Sequence, residues 1–236
     1  MGAEATSRQW RTMSVSTGIA GLASIALVAG SQALVQVGGG EPAFDAPADE
    51  ILSFFEARND TLYAAGSFLG LIAALALLWF FAGLSAVLRA VEGEPAWRSV
   101  VALASGIVVV VPVMSPGWDL AGFRVDDGVD AQLARLAFDQ GNLGFANAWL
   151  GLASFMAAAA WIILASRALP GWLGWWAVAA AVGFLVGRAL WTTPIWLIPY
   201  ALFWVWVIVV CVQLLRGRWR SEPSQGRFDR LGRGME

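Results

Sequence analysis

Six stretches of this chain, residues 12–40, 61–88, 99–118, 140–166, 168–187 and 189–215, contain no aspartate, glutamate, lysine or arginine, and the shortest is 20 residues long. An α-helix needs about 20 apolar residues to cross the roughly 30 Å hydrocarbon core of a bilayer. Only helices and closed barrels can cross, because lipid offers no partner to an unpaired backbone N–H or C=O. Barrel strands alternate apolar and polar side chains, whereas these stretches run continuously apolar. The expected fold is all-α, a polytopic transmembrane helix bundle with spans at about 14–37, 61–88, 99–114, 140–166, 172–191 and 195–215. Charged residues make up only 14% of the chain and apolar residues 58%, so in water it would keep large apolar patches exposed. A secretory signal peptide is the rival reading of the first stretch, with Arg8 and Arg11 as its basic region. The apolar run is too long for that and no clear cleavage site follows, so a retained helix is expected.

Arginine placement orients the bundle. With residues 1–13 cytoplasmic and six spans, eleven arginines fall inside and four (Arg58, Arg124, Arg135 and Arg188) outside. That asymmetry is what the positive-inside rule requires and gives an N-in/C-in topology. Acids divide the other way, six inside and eleven outside. Residues 216–236 read as a basic, disordered cytoplasmic tail whose arginines can attract anionic lipid. Trp10, Trp97, Trp118, Trp172, Trp175, Trp176, Trp191 and Trp219 stand at or near window ends, where indoles settle at headgroup level. Trp79, Trp149, Trp161, Trp204 and Trp206 lie deeper and are expected to pack between helices.

Two long acidic outer loops separate spans. In the first, Pro47 followed by Asp49 and Glu50 reads as a helix start, and Ile51, Leu52, Phe54 and Phe55 give that short helix an apolar face. In the second, Val129, Leu133 and Leu136 recur at helical spacing and predict another short amphipathic helix. A shift of 81 residues pairs Asp49 with Asp130, Leu52 with Leu133, Leu69-Gly70-Leu71 with Leu150-Gly151-Leu152, Phe80 with Trp161 and Ser85 with Ser166. This is either a duplicated two-helix unit or coincidence within Ala/Leu/Gly-rich sequence.

The chemistry is bounded mainly by exclusion. There is no histidine, which removes His-ligated haem, His-based zinc and a His general base. There is no lysine, which removes a Schiff base and a Walker-A phosphate lysine. Cys211 is the single cysteine, so there is no intrachain disulfide; it is expected to pack as a small apolar residue. Asp127-Gly128 with Asp130-Ala131 and Gly141 partly matches the CDP-alcohol phosphotransferase pattern. Three of that family's four aspartates are replaced here by Arg124, Phe145 and Trp149, and a metal site needs several converging oxygen ligands, so the match is rejected. No catalytic residue, metal ligand or cofactor is expected.

Polar residues at the edges of apolar spans are where function is sought. Asp60, Asp139, Asn142, Asn147 and Arg188 can line an outer vestibule, with Arg188 neutralised by Asp60 or Asp139. The structural alternative is that Arg188 snorkels to the headgroups and the Asx residues cap helix starts. Gly66-xxx-Gly70 and Gly183-xxx-Gly187 are expected to serve intramolecular packing.

The segments 47–59 (PADEILSFFEARN), 78–92 (LWFFAGLSAVLRAVE), 138–145 (FDQGNLGF) and 167–175 (RALPGWLGW) resemble a group of uncharacterised six-helix integral membrane proteins of actinobacteria. The resemblance implies the same fold and a bacterial plasma membrane, and brings no activity. Function is thus expected to be non-enzymatic: a sensor, scaffold or accessory subunit that can bind lipid or a small apolar ligand between helices. The alternatives are a passive channel or facilitator and a lipid-modifying membrane enzyme. Expected partners are the bilayer, anionic lipid at the tail and another protein, with no nucleic acid.

Overall fold

The computed structural model describes residues 2–37, 39–58, 60–114 and 117–217. Over these the chain forms α1 (Gly2–Val35), α2 (Ala48–Glu56), α3 (Asp60–Glu92), α4 (Trp97–Val113), α5 (Gly117–Arg124), α6 (Ala131–Ser166), α7 (Gly171–Ala189) and α8 (Leu197–Leu215), with 3₁₀ turns at Val125–Asp127 and Pro194–Trp196. No strand occurs among the described residues. Five segments, in α1, α3, α6, α7 and α8, are long and apolar enough to cross a membrane. The sixth expected span is α4, whose apolar segment Trp97–Pro112 is shorter than the rest.

The register of contacts shows that the six long helices alternate in direction. Thr17 of α1 meets Gly83 of α3, while Ser31 donates to the Gly66 carbonyl at 2.7 Å. Phe81 of α3 packs on Gly106 of α4, and Ser105 of α4 bonds Ser154 of α6 at 2.7 Å. Leu164 of α6 covers Gly174 of α7, and Gly183 of α7 receives Pro199 of α8. Cys211 of α8 then lies against Gly21 of α1, so the helices close into a ring. Phe80, Phe81, Phe155, Phe184, Phe203 and Trp206 fill its centre, all fully buried; the Phe81 and Phe155 rings are 4.5 Å apart. As the sequence suggested, Cys211 is buried.

At the turn from α3 to α4, Gly93 adopts a positive φ of 79° and the buried Glu92 side chain folds back over the start of α4. It accepts the backbone N–H groups of Arg98 and Ser99, both at 2.8 Å, and lies 3.3 Å from Arg98 Nε. The first N–H groups of a helix have no intrahelical partner, and a carboxylate there satisfies them while complementing the dipole.

A second, smaller core caps the opposite end. Ile51 and Phe55 of α2 join Ala121 of α5, Val125, and Ala134, Ala137 and Phe138 of α6. Phe44 fastens the preceding loop to Trp191 edge-on, with ring centroids 4.2 Å apart. The expected helix in the first loop is present. In the second loop the expected separate amphipathic helix is not: residues 131–136 are the first turns of α6, which runs unbroken to Ser166. Asp130 starts it by accepting the Leu133 N–H at 2.8 Å, and no proline follows until Pro170. Asp139 marks the edge of the uncharged stretch, but a charge alone does not end a helix. The phase differs too. Ala134, Ala137 and Phe138 face the cap, whereas Leu133 and Leu136 are exposed.

Two deep tryptophans also correct the sequence reading. Trp149 and Trp206 pack inside, but Trp79 and Trp161 are 72% and 56% exposed on the outer face of the ring. The pairing of Phe80 with Trp161 therefore joins a buried position to an exposed one, and Leu52, part-buried in the cap, pairs with exposed Leu133. The 81-residue match does not place equivalent residues in equivalent surroundings.

Candidate functional site

Of the polar residues singled out from sequence, Asp139, Asn142, Asn147 and Arg188 lie towards the cap end of α6 and α7 without converging on one point. Arg188, in the last turn of α7, donates from Nε to Asn147 Oδ1 at 3.0 Å. It does not reach Asp139, its expected counter-charge, because the α6–α7 register sets it two helical turns further down α6, about 12 Å along the axis. Asp139 instead faces Arg135 loosely, with 3.9 Å between Oδ2 and Nε. Its Oδ1 is shielded from solvent and accepts no hydrogen bond among the described residues. Asn142 donates to the Phe138 carbonyl one turn back at 3.1 Å. The Asp60 side chain and Asn59 lie outside what is described, although Asp60 begins α3.

The sequence reading missed Glu41. Its carboxyl comes near the Asn142 side chain, which brings the loop after α1 to the start of α6. The residue is exposed by area, but its carboxyl sits among protein groups. The resulting desolvation raises its pKa above the ordinary 4.5, and the Asn142 side chain partly opposes that rise. A carboxyl whose pKa rises on folding binds protons more tightly in the folded state. Its contribution is fully present below pH 4.5 and is lost as pH climbs through the raised value. Glu41→Gln keeps a polar group near Asn142 and removes the titration. Thermal unfolding followed from pH 4 to 7 is expected to show a flatter stability curve for Glu41→Gln than for the native chain.

Acid–base work needs groups within hydrogen-bond reach of one substrate atom, and the described side chains of this outer cluster do not converge in that way. No group of three or more metal-binding side chains occurs among the described residues.

A different feature stands on the outer face of the ring. Between α6 and α7 runs an apolar groove of about 840 Å³ with Ala153, Ala157, Ala160 and Ala181 along it and Trp161 and Leu164 towards the end away from the cap. It exists because small side chains recur on the facing surfaces of both helices, which leaves a channel that Leu or Phe would fill. Along α6 it extends from Leu150 to Ala165, about 22 Å at the helical rise. The run of four alanines at 157–160 was the available sequence signal, but in a chain this rich in alanine it did not stand out. At the end away from the cap, Leu164 also lines a second hollow of about 680 Å³ with Arg167 and Gln213. There Arg98 lies over the Trp161 ring, 5.0 Å from its centroid, and Trp97 meets Trp161 edge-on at 5.5 Å.

No protein-family model, curated protein or solved structure matches the chain.

Proposed function

We propose that the chain is a non-enzymatic, multi-pass membrane protein that binds the apolar chain of a lipid on the outside of its helix ring. In this reading α4 serves as the sixth span, both termini are cytoplasmic, and the α2–α5 cap faces outward, as the arginine distribution requires. The resemblance to the actinobacterial group adds a bacterial plasma membrane as its place, and a sensor, scaffold or accessory role as its context. Anionic lipid at the basic tail and a protein partner belong to the same proposal.

The α6–α7 groove carries the reading. An open apolar furrow in water is a liability, whereas one facing hydrocarbon is filled by whichever chain fits it. Its length exceeds half of a hydrocarbon core roughly 30 Å thick, so an acyl chain from one leaflet can lie along it. The aromatic centre of the ring stands against the channel alternative, since among the described residues no polar path leads from Asn142 towards Arg167 through Phe81, Phe155 and Trp206. The dispersed carboxylates stand against the lipid-modifying enzyme.

Two measurements test this. In a Cys211→Ala background, a membrane-impermeant maleimide applied to intact cells is expected to label Asp126→Cys at the cap. Arg89→Cys at the opposite end should react only after permeabilisation, and equal labelling of both would remove the topology. For the groove, Ala157→Phe adds a ring at an exposed position and is expected to lower phospholipid retention in mild detergent about tenfold with the fold intact, a loss of roughly 1.4 kcal/mol. Unchanged retention would remove the binding role.

A further inference from the structure

We infer that the groove selects an anionic phospholipid, whose phosphate is held at the end away from the cap by Arg98 and Arg167 while its acyl chain lies along α6 and α7. This rests on the groove reading above and adds the headgroup chemistry.

Three observations support it. First, both arginines adjoin the groove's mouth. Trp161 and Leu164 line the groove; Arg98 lies over the Trp161 ring, and Arg167 shares the second hollow with Leu164. Second, the charge balance suits a phosphodiester. Arg98 Nε faces Glu92, which offsets one positive charge, and Arg167 has no carboxylate partner among the described residues. Arg98, Glu92 and Arg167 together therefore carry one net positive charge, which matches one phosphate charge. The planar guanidinium of Arg98, held against two indoles, presents its donors in a fixed plane suited to phosphate oxygens. Third, the backbone at Arg167 is left-handed, with φ 56°. Glycine is the usual residue at such a helix end, and a non-glycine there is disfavoured. The side chain thus occupies a position that helix termination alone would give to glycine.

Acyl chain and headgroup make separable contributions. The groove should accept the chain of any phospholipid, and the arginines should favour the anionic one. An arginine near a membrane surface favours anionic lipid.

The experiment is native mass spectrometry of the full chain in mild detergent, titrated with dioleoylphosphatidylglycerol or dioleoylphosphatidylcholine. Phosphatidylglycerol is expected to bind about tenfold more tightly. Arg98→Gln combined with Arg167→Gly should bring the two lipids to near-equal affinity. Arg167→Gly alone, which the left-handed backbone accommodates, should lose about half of the preference on a logarithmic scale and decides the matter if the double variant folds poorly. Equal binding of the two lipids by the native chain, or an undiminished preference in Arg167→Gly, overturns the assignment. So does displacement of bound lipid by free glycerol phosphate as effectively as by whole phosphatidylglycerol. If Ala157→Phe leaves both lipids bound, the groove reading itself has failed; if it expels both while the arginine variants keep the preference, only the headgroup assignment has.

Discussion

Gly106→Val is expected to detach α4 from the bundle and to cost about 3 kcal/mol or more, the upper range for overpacking a close contact. A Cβ at Gly106 would lie 2.6 Å from Phe81 Cβ, 2.7 Å from its Cγ and 2.9 Å from its Cδ2. Phe81 has nowhere to retreat. It is fully buried and backs onto Phe155 and Phe203 at centroid distances of 4.5 and 6.5 Å. The first atom of the clash is its Cβ, which no rotamer change moves. The helix must therefore shift, and α4 is the long helix least able to absorb a shift. Val100, Leu103, Ile107, Val108 and Val111 on its other face are exposed. In lipid those side chains gain nothing by burial, because the surrounding tails are as apolar as the bundle interior. Close packing then carries the association, through the Gly106 seam, the Ser105–Ser154 bond and the seat of Val109 on Gly151. Gly39→Ala is the control, since nothing lies within 4 Å of a Cβ there. Reversible unfolding in mixed detergent micelles measures both. A Gly106→Val chain within about 0.5 kcal/mol of the native one, the ordinary range for surface substitutions, would show that α3 and α4 do not approach closely.

The same seam shows what the sequence could and could not reveal. That residues 99–114 form an apolar helix was legible, because absence of charge over a fixed length is a one-dimensional signal. Which side of that helix faces Phe81 was not, because a uniformly apolar helix carries no polar stripe to mark its outer face. Trp79 and Trp161 were misplaced for this reason: depth along a span can be counted, but direction around its axis cannot. The short helix at Ala48–Glu56 was legible because its apolar and acidic residues separate onto two faces. Leu133 and Leu136 misled because their spacing described an apolar stripe correctly while saying nothing about what covers it. In the outer cluster, the sequence grouped Asn147 and Arg188 in one outer vestibule without pairing them, and the hydrogen bond between them was not foreseen. Opposite charge suggested Asp139 as the arginine's partner, and the register between α6 and α7 decided otherwise. Glu41 could not have been found by pattern, since its contact with Asn142 depends on how the intervening loop returns across the end of α6.

Trp206→Ala is expected to have the other large effect, about 3–5 kcal/mol, the usual range for removing a buried aromatic side chain. Trp206 is fully buried in α8. Its ring edge meets Phe155 across the centre at 6.4 Å, and its Nε1 donates to the Leu173 carbonyl of α7 at 3.0 Å. Two kinds of interaction therefore hold α8 in the ring, and they respond differently to substitution. Interhelical hydrogen bonds within membranes contribute only about 0.6 kcal/mol on average, because the unfolded chain also finds partners. Filling of the ring centre contributes more, because an empty space there forfeits dispersion contacts that neither lipid nor water replaces. Trp206→Phe keeps most of the volume and loses the bond, so it is expected to cost about 1–2 kcal/mol, less than the alanine effect. Comparing the two in the same micelle unfolding assay separates packing from hydrogen bonding. If phenylalanine proves as costly as alanine, the bond to Leu173 rather than the aromatic filling holds the ring closed. The case against a channel would then weaken as well, because it relies on side chains packed tightly enough at that centre to exclude a water path.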